Sequence, residues 1–341
     1  MKKILITGGS GFIGTNLINF FLKKKFKIIN LDLLSYASTP DKFKDFYKNK
    51  NYILVKGNIS DKRKVENILK KNDIYAIFNL ASYTHVDRSI ENPKEFIKQN
   101  FMSNIEFINT INFSMNKNLF KGKFINISTD EVYGSVLKNP SKENSPLEPN
   151  SPYSASKASV DLVLRAYNKT FNLPFINVRC CNNYGPYQFS EKFIPTIINC
   201  IFQNKKIPIY GDGKYYREWI FVDDFCSALN SILLKGSINN IYNVGSGERI
   251  SNTYLTNNII KICNKIFNQK ISNKFVKFVK DRPGHDRSYK IDSSKLRTQT
   301  KWKSLVSLEY GLLKTVLWYS NNIKWLNYTK KKYDGKRLGL K

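Results

Sequence analysis

Six short apolar runs recur along the first 180 residues: KILIT (3–7), KIINLD (27–32), NYILVKGNI (51–59), YAIFNLAS (75–82), KFINIS (123–128) and PFINVRCC (174–181). Each is too short for a globular helix and predicts a buried strand. Between them, apolar residues return every three or four positions, the spacing of one helical face. FIGTNLINFFLK (12–23) follows a glycine-rich turn in this way, residues 93–116 form a long helix opened by Pro93, and another helix is expected near 152–171. Strands alternating with helices predict an α/β fold with a doubly wound, mostly parallel sheet.

After about residue 180 the alternation decays into irregular segments rich in Asn, Pro and Tyr. EWIFVDDFCSALNSILL (218–234) and NIYNVGS (240–246) return to helix and strand character. The expected division is a first domain over 1–180 that 218–246 rejoins. A smaller part comes from 181–217 and 247–327, and an exposed tail from 328–341.

Composition narrows the class. A chain of 341 residues with 41% hydrophobic residues can bury a sizeable core and is not disordered. No apolar run approaches a membrane span, and the opening MKKILITGG lacks the hydrophobic stretch of a signal peptide. The five cysteines are odd in number and show no metal-type spacing, so reduced thiols, no metal and a cytoplasmic location are expected. The formal charge of +30 raises the question of nucleic acid. The basic residues are spread along the chain among many Asn and Ile, however, so no nucleic-acid or membrane partner is expected. An anionic small-molecule substrate suits such a field better.

Gly8, Gly9, Gly11 and Gly14 lie between the first strand and the first helix, satisfying G-x-G-x-x-G. Glycine allows a sharp turn and close approach of backbone to a pyrophosphate at a helix N-terminus. Asp32 ends the next strand, where a carboxylate can accept both ribose hydroxyls and repel a 2′-phosphate; NAD is therefore expected over NADP. The strand at 123–128 leads into Thr129, Asp130 and Glu131. Two adjacent acids there either cap a turn or sit at a ligand-binding sheet edge. Tyr153 and Lys157 are four apart on one helix face. A tyrosine with a pKa of roughly 10 is a poor base, and a nearby ammonium favours its phenolate.

These motifs resemble the extended short-chain dehydrogenases/reductases, and among them the nucleoside-diphosphate-glucose 4,6-dehydratases. The resemblance runs from Lys3 to about Trp325 through TGGSGFIG (7–14), HVDRS (85–89), STDEVYG (128–134), YSASK (153–157), NNYGPYQ (182–188), GDG (211–213), REW (217–219) and RPGHDR (282–287). It implies a Rossmann-type sheet binding NAD, with Gly8, Gly11, Phe12, Ile13, Gly14, Asp32, Asn58, Ile59, Ala81, Tyr153 and Lys157 around the cofactor. The smaller part would bind a nucleotide sugar, dTDP-glucose first and UDP-glucose as the alternative. Thr129 would bond the 4-hydroxyl, Tyr153 with Lys157 remove its proton, Glu131 act as base at carbon 5, and Asp130 protonate the departing 6-hydroxyl. Asn183, Glu191, Lys192, Arg217, Arg282 and His285 would hold the substrate, whereas His85 reads as structural. A homodimer built on helices 93–116 and 152–171 is implied as well. Sugar-nucleotide epimerases and uronate decarboxylases are the rival activities, and the Asp130–Glu131 pair separates a dehydratase from them. Departures from the family pattern are Asn58, Ser82, Tyr83, Cys181, Glu218 and Phe225, none of which removes a proposed catalytic group.

Overall fold

The computed structural model describes residues 1–268 and 270–333. Seven strands form one parallel sheet: β1 (Lys3–Thr7), β2 (Lys27–Asp32), β3 (Tyr52–Lys56), β4 (Ile74–Asn79), β5 (Lys123–Thr129), β6 (Ile176–Cys180) and, late in the chain, a strand at Asn240–Val244. Side-chain alternation explains why these runs are apolar almost throughout. On β1, Ile4 and Ile6 join a core with Leu17, Phe21 and Phe78, while Leu5 joins another with Leu31, Phe107 and Val160. Both faces are covered. In spatial order the Asn240–Val244 strand comes first, then β6, β5, β4, β1, β2 and β3. The direction of winding thus reverses between β1 and β4, and the crevice outside the strands' carboxyl ends opens there.

Three further strands build a second, small sheet: β7 (Asn182–Tyr184), β9 (Tyr216–Phe221) and β11 (Arg249–Ser251). β8 (Ile207–Tyr210) pairs with β12 (Val276–Val279), which makes Asn240–Val244 β10. They pack with helices Phe193–Phe202, Asn252–Phe267 and Leu308–Asn321 around their own core of Ile197, Trp219, Leu255, Leu312 and Trp325. β6 and β7 are separated only by Cys181, so the chain passes from the large sheet to the small one in a single residue.

Two segments differ from expectation. The helix at 93–116 is interrupted: Pro93–Phe96 and Ser103–Asn116 are α-helical, and Ile97–Met102 is a π-helical turn. Asn100 within that turn is buried and bonds the backbone of Tyr83 in both directions, Tyr83 N–H at 2.7 Å and Tyr83 C=O at 2.9 Å. A widened turn places that carboxamide inward. The segment assigned to a tail from residue 328 is helical as far as Lys332 (helix Ile323–Lys332), because Trp325 and Thr329 are buried. Residues 334–341 of that expected tail lie outside the described residues. The helix at Pro152–Phe171 begins on a reciprocal cap between Ser151 and Ser154, with Pro152 in its first turn. Among the described residues no helix is long and apolar enough to cross a membrane, and all five cysteines are free thiols.

Candidate active site

A cavity of about 720 Å³ runs along the carboxyl edge of the large sheet and on beneath the second core. Every site residue singled out from the sequence lines it except Asp130, which lies buried just behind Thr129 and Glu131.

At one end is the glycine turn. Gly8 has φ +68°, and a Cβ there would meet the backbone of Ala81 at 2.8 Å. A Cβ on Gly14 would stand 2.5 Å from Gly8 O. The helix Phe12–Lys23 starts at Gly11 with no side-chain cap, leaving its first N–H groups for an anion. Asp32 accepts bonds from Ser10 N–H (2.8 Å), Leu34 N–H (2.7 Å) and Ser38 Oγ (3.2 Å), which aim its carboxylate. Asn58 caps its own turn through Ser60 N–H, with Ile59 and Ala81 beside it in the cavity wall. The cradle and its carboxylate fit a dinucleotide.

In the middle, β5 ends at Thr129 and the chain enters a 3₁₀ turn, Asp130–Tyr133, closed by Gly134 at φ +69°. Thr129 Oγ1 accepts the Glu131 N–H at 3.3 Å and donates to Asp130 Oδ1 at 3.3 Å. Thr129 thus caps the turn, and Thr129 and Glu131 line the cavity. Burial pushes Asp130 well above the usual carboxylate range, and the charges of Glu131 and then Glu218 push it further. Burial raises Glu131 too, but Arg282, Arg217 and Lys192 oppose the rise. Adjacent acids in such contrasting surroundings suit an acid and a base.

Tyr153 sits in the first turn of its helix, its N–H held by Ser89 Oγ at 3.2 Å. Lys157, one helical turn further on, lines the same cavity. Lys157 Nζ donates to Ile127 C=O at 2.7 Å. Burial, followed by the charge of Glu131, raises the Tyr153 phenol, and a hydrogen bond with Thr129 opposes this.

The far end is cationic. Arg217 donates to the carbonyls of Tyr216 and Asp286 and lies 4.2 Å over the Tyr289 ring. Arg282 donates to Asp87 Oδ1 at 2.8 Å, and Asp87 also accepts the Tyr210 hydroxyl at 2.6 Å. Lys192 Nζ reaches Thr84 C=O at 2.5 Å. Three cations from three segments thus converge on one cavity, an arrangement for a diphosphate. Asn183 Nδ2 bonds Cys181 C=O, while its buried Oδ1 has no partner among the described residues. His285 stacks on Tyr215 at 3.8 Å, and its Nδ1 lies 2.7 Å from Asp281. Burial, then Arg282 and Arg217, lower its pKa to about 3, so the ring is neutral. His85 caps a helix through Arg88 N–H, a structural use, although it also reaches the cavity wall.

Sequence reasoning missed Tyr289 and Tyr36. The Tyr289 hydroxyl bonds Asp286 at 2.7 Å and stands 3.5 Å from Glu131 Oε2. Its only sequence signal is its position two residues after RPGHDR.

The chain matches the pattern of the GDP-mannose 4,6 dehydratase family over residues 5–315. It is 37% identical over 361 residues to a dTDP-glucose 4,6-dehydratase of Escherichia coli, covering 99% of each chain. The crystal structure of a dTDP-glucose 4,6-dehydratase from Bacillus anthracis in complex with NAD matches with a TM-score of 0.87 at 37% identity. That match covers 97% of this chain and 100% of the other. A dTDP-glucose 4,6-dehydratase of Streptomyces venezuelae with NAD and dTDP bound matches with a TM-score of 0.88 at 35% identity, over 95% and 98% of the two chains.

Proposed function

This chain belongs to the GDP-mannose 4,6-dehydratase family, and from that membership and its full-length likeness to dTDP-glucose 4,6-dehydratases we infer that it is a hydro-lyase converting dTDP-glucose to dTDP-4-keto-6-deoxyglucose. The observation that carries this reading is the acid pair at the end of β5. Asp130, buried beside Glu131 and Glu218, has its pKa pushed up, and Glu131 faces three cations in the same cavity as Tyr153.

The glycine turn and Asp32 would hold NAD, which would supply the hydride acceptor for carbon 4 and the hydride donor for carbon 6. Tyr153 takes the proton of the 4-hydroxyl, which Thr129 orients. The resulting ketone acidifies carbon 5, where Glu131 removes the proton, and Asp130 protonates the departing 6-hydroxyl. Arg217, Arg282 and Lys192 bind the diphosphate, and Asn183 and His285 complete the substrate wall. The smaller part, 181–217 and 247–327, serves the substrate, and 1–180 with 218–246 serves the cofactor. Free thiols suit a cytoplasmic protein. A homodimer forms through helices Ser103–Asn116 and Pro152–Phe171, whose neighbourhood exposes Met102, Phe113, Leu162 and Phe171.

Incubating the protein with dTDP-glucose and with UDP-glucose tests the reading. The expected result is a 4-keto-6-deoxy product, formed faster from the thymidine nucleotide. A 4-epimer as the product would overturn it.

A further inference from the structure

We propose that Arg88 is a positioning residue for sugar recognition, acting with Tyr36 through the carboxylate of Glu191. This rests on the nucleotide-sugar reading above. Glu191 has a side chain only 2% exposed, and its Oε2 accepts from Arg88 Nε at 2.8 Å. Its Oε1 accepts from the Tyr36 hydroxyl at 2.9 Å. The Arg88 guanidinium lies 4.2 Å over the Tyr36 ring, so the three side chains close a triangle.

The three members come from distant segments. Tyr36 lies in the loop after β2, four residues beyond Asp32; Arg88 is in the short helix Val86–Glu91; Glu191 precedes helix Phe193–Phe202. A buried carboxylate is costly unless it is paired and bonded. An ionised one offers about four lone-pair sites, and Arg88 and Tyr36 occupy one on each oxygen. The remainder can accept hydroxyl protons from a ligand. Glu191 and Tyr36 line the cavity, whereas Arg88 does not. Arg88 therefore reaches a substrate only through Glu191. Of the cations that receive the diphosphate, Arg217 and Arg282 come from other segments, and Lys192, next to Glu191 in the chain, turns its ammonium to Thr84 C=O; the triangle therefore bears on the sugar and not on the nucleotide.

Steady-state kinetics of the NAD-loaded protein, with dTDP as a competitive inhibitor, separate these roles. Arg88→Met should raise KM for dTDP-glucose about tenfold, the scale of one lost charge-assisted hydrogen bond. The Ki of dTDP, which lacks the sugar, should stay within twofold. Tyr36→Phe should shift KM in the same direction by less, and Arg88→Lys should recover part of the loss. The double variant Arg88→Met/Glu191→Gln should be no worse than Glu191→Gln alone, since residues acting through one group are not additive. Additive losses, or equal weakening of dTDP-glucose and dTDP, would overturn the proposal. If Arg88→Met does not fold, the same cycle with Tyr36→Phe and Glu191→Gln decides. A wild-type protein that leaves dTDP-glucose unchanged would instead overturn the functional reading, before any variant is made.

Discussion

Asp130 and Glu131 are neighbours in the chain and opposites in surroundings, one against carboxylates and the other against cations. Glu131→Gln should leave reduction of bound NAD by substrate intact, because removing the carbon-4 hydrogen does not need that base. Exchange of the carbon-5 proton with solvent deuterium should slow by about 10²- to 10⁴-fold, the usual worth of a general base. Tyr153→Phe should suppress both steps. Glu131→Gln blocking NAD reduction as fully as Tyr153→Phe would refute the division of labour. Asp130 also predicts a pH dependence of stability. Unfolded, it ionises near the ordinary value of about 3.9; folded, it holds its proton to higher pH. Its contribution to stability is full below the unfolded value and is lost as pH rises through the folded one. Asp130→Asn cannot ionise. Its Tm advantage over the wild type should be near zero at pH 4 and grow towards pH 7, alongside a loss of dehydration. A gap that narrowed on that path, followed by calorimetry, would contradict the raised pKa.

At the scale of elements, the first βαβ unit was legible because each of its parts is local. The glycines, the strand KILIT and the helix after them are specified within 23 residues. What only contact reveals is why Gly8 must be glycine: its positive φ and the Ala81 backbone 2.8 Å away come from β1 and β4 lying side by side. Gly8→Ala should cost about 1–3 kcal/mol of backbone strain and weaken NAD binding, read by thermal melting and by titration. Unchanged NAD affinity would separate the glycine from the cofactor. The interrupted helix at 93–116 was not legible, because Asn100 turns inward to a loop 17 residues upstream. The same holds for Asn79, Asn126 and Asn177, which bond one another at 2.9 and 2.8 Å across β4, β5 and β6. In sequence they are merely polar residues inside apolar strands.

For the whole molecule, the expected dimer rests on apolar residues distributed round helices 93–116 and 152–171. Phe96, Phe107, Ile108 and Ile111 are spent on the core, while Ile97, Met102, Phe113 and Leu162 remain exposed. An exposed apolar face on two neighbouring helices favours association with a second copy. Light scattering at micromolar concentration should give about twice the chain mass of 39.6 kDa, and Leu162→Lys should shift the mass towards one copy. A monomer mass in the wild type would count against the interface.

The sequence by itself determined the strand–helix alternation, the glycine turn with Asp32, and the Thr129–Glu131 and Tyr153–Lys157 pairs, since each depends on spacing within one element or its edge. The tertiary structure alone decided how those pairs are tuned. Lys157 turns to Ile127 C=O, and the pKa of Asp130 is raised by burial, by Glu131 and by the charge of Glu218, which is 88 residues away along the chain. It also decided that Tyr36, Arg88 and Glu191 meet. Charge and desolvation act through space, and no local pattern carries the distance between residues that the fold brings together.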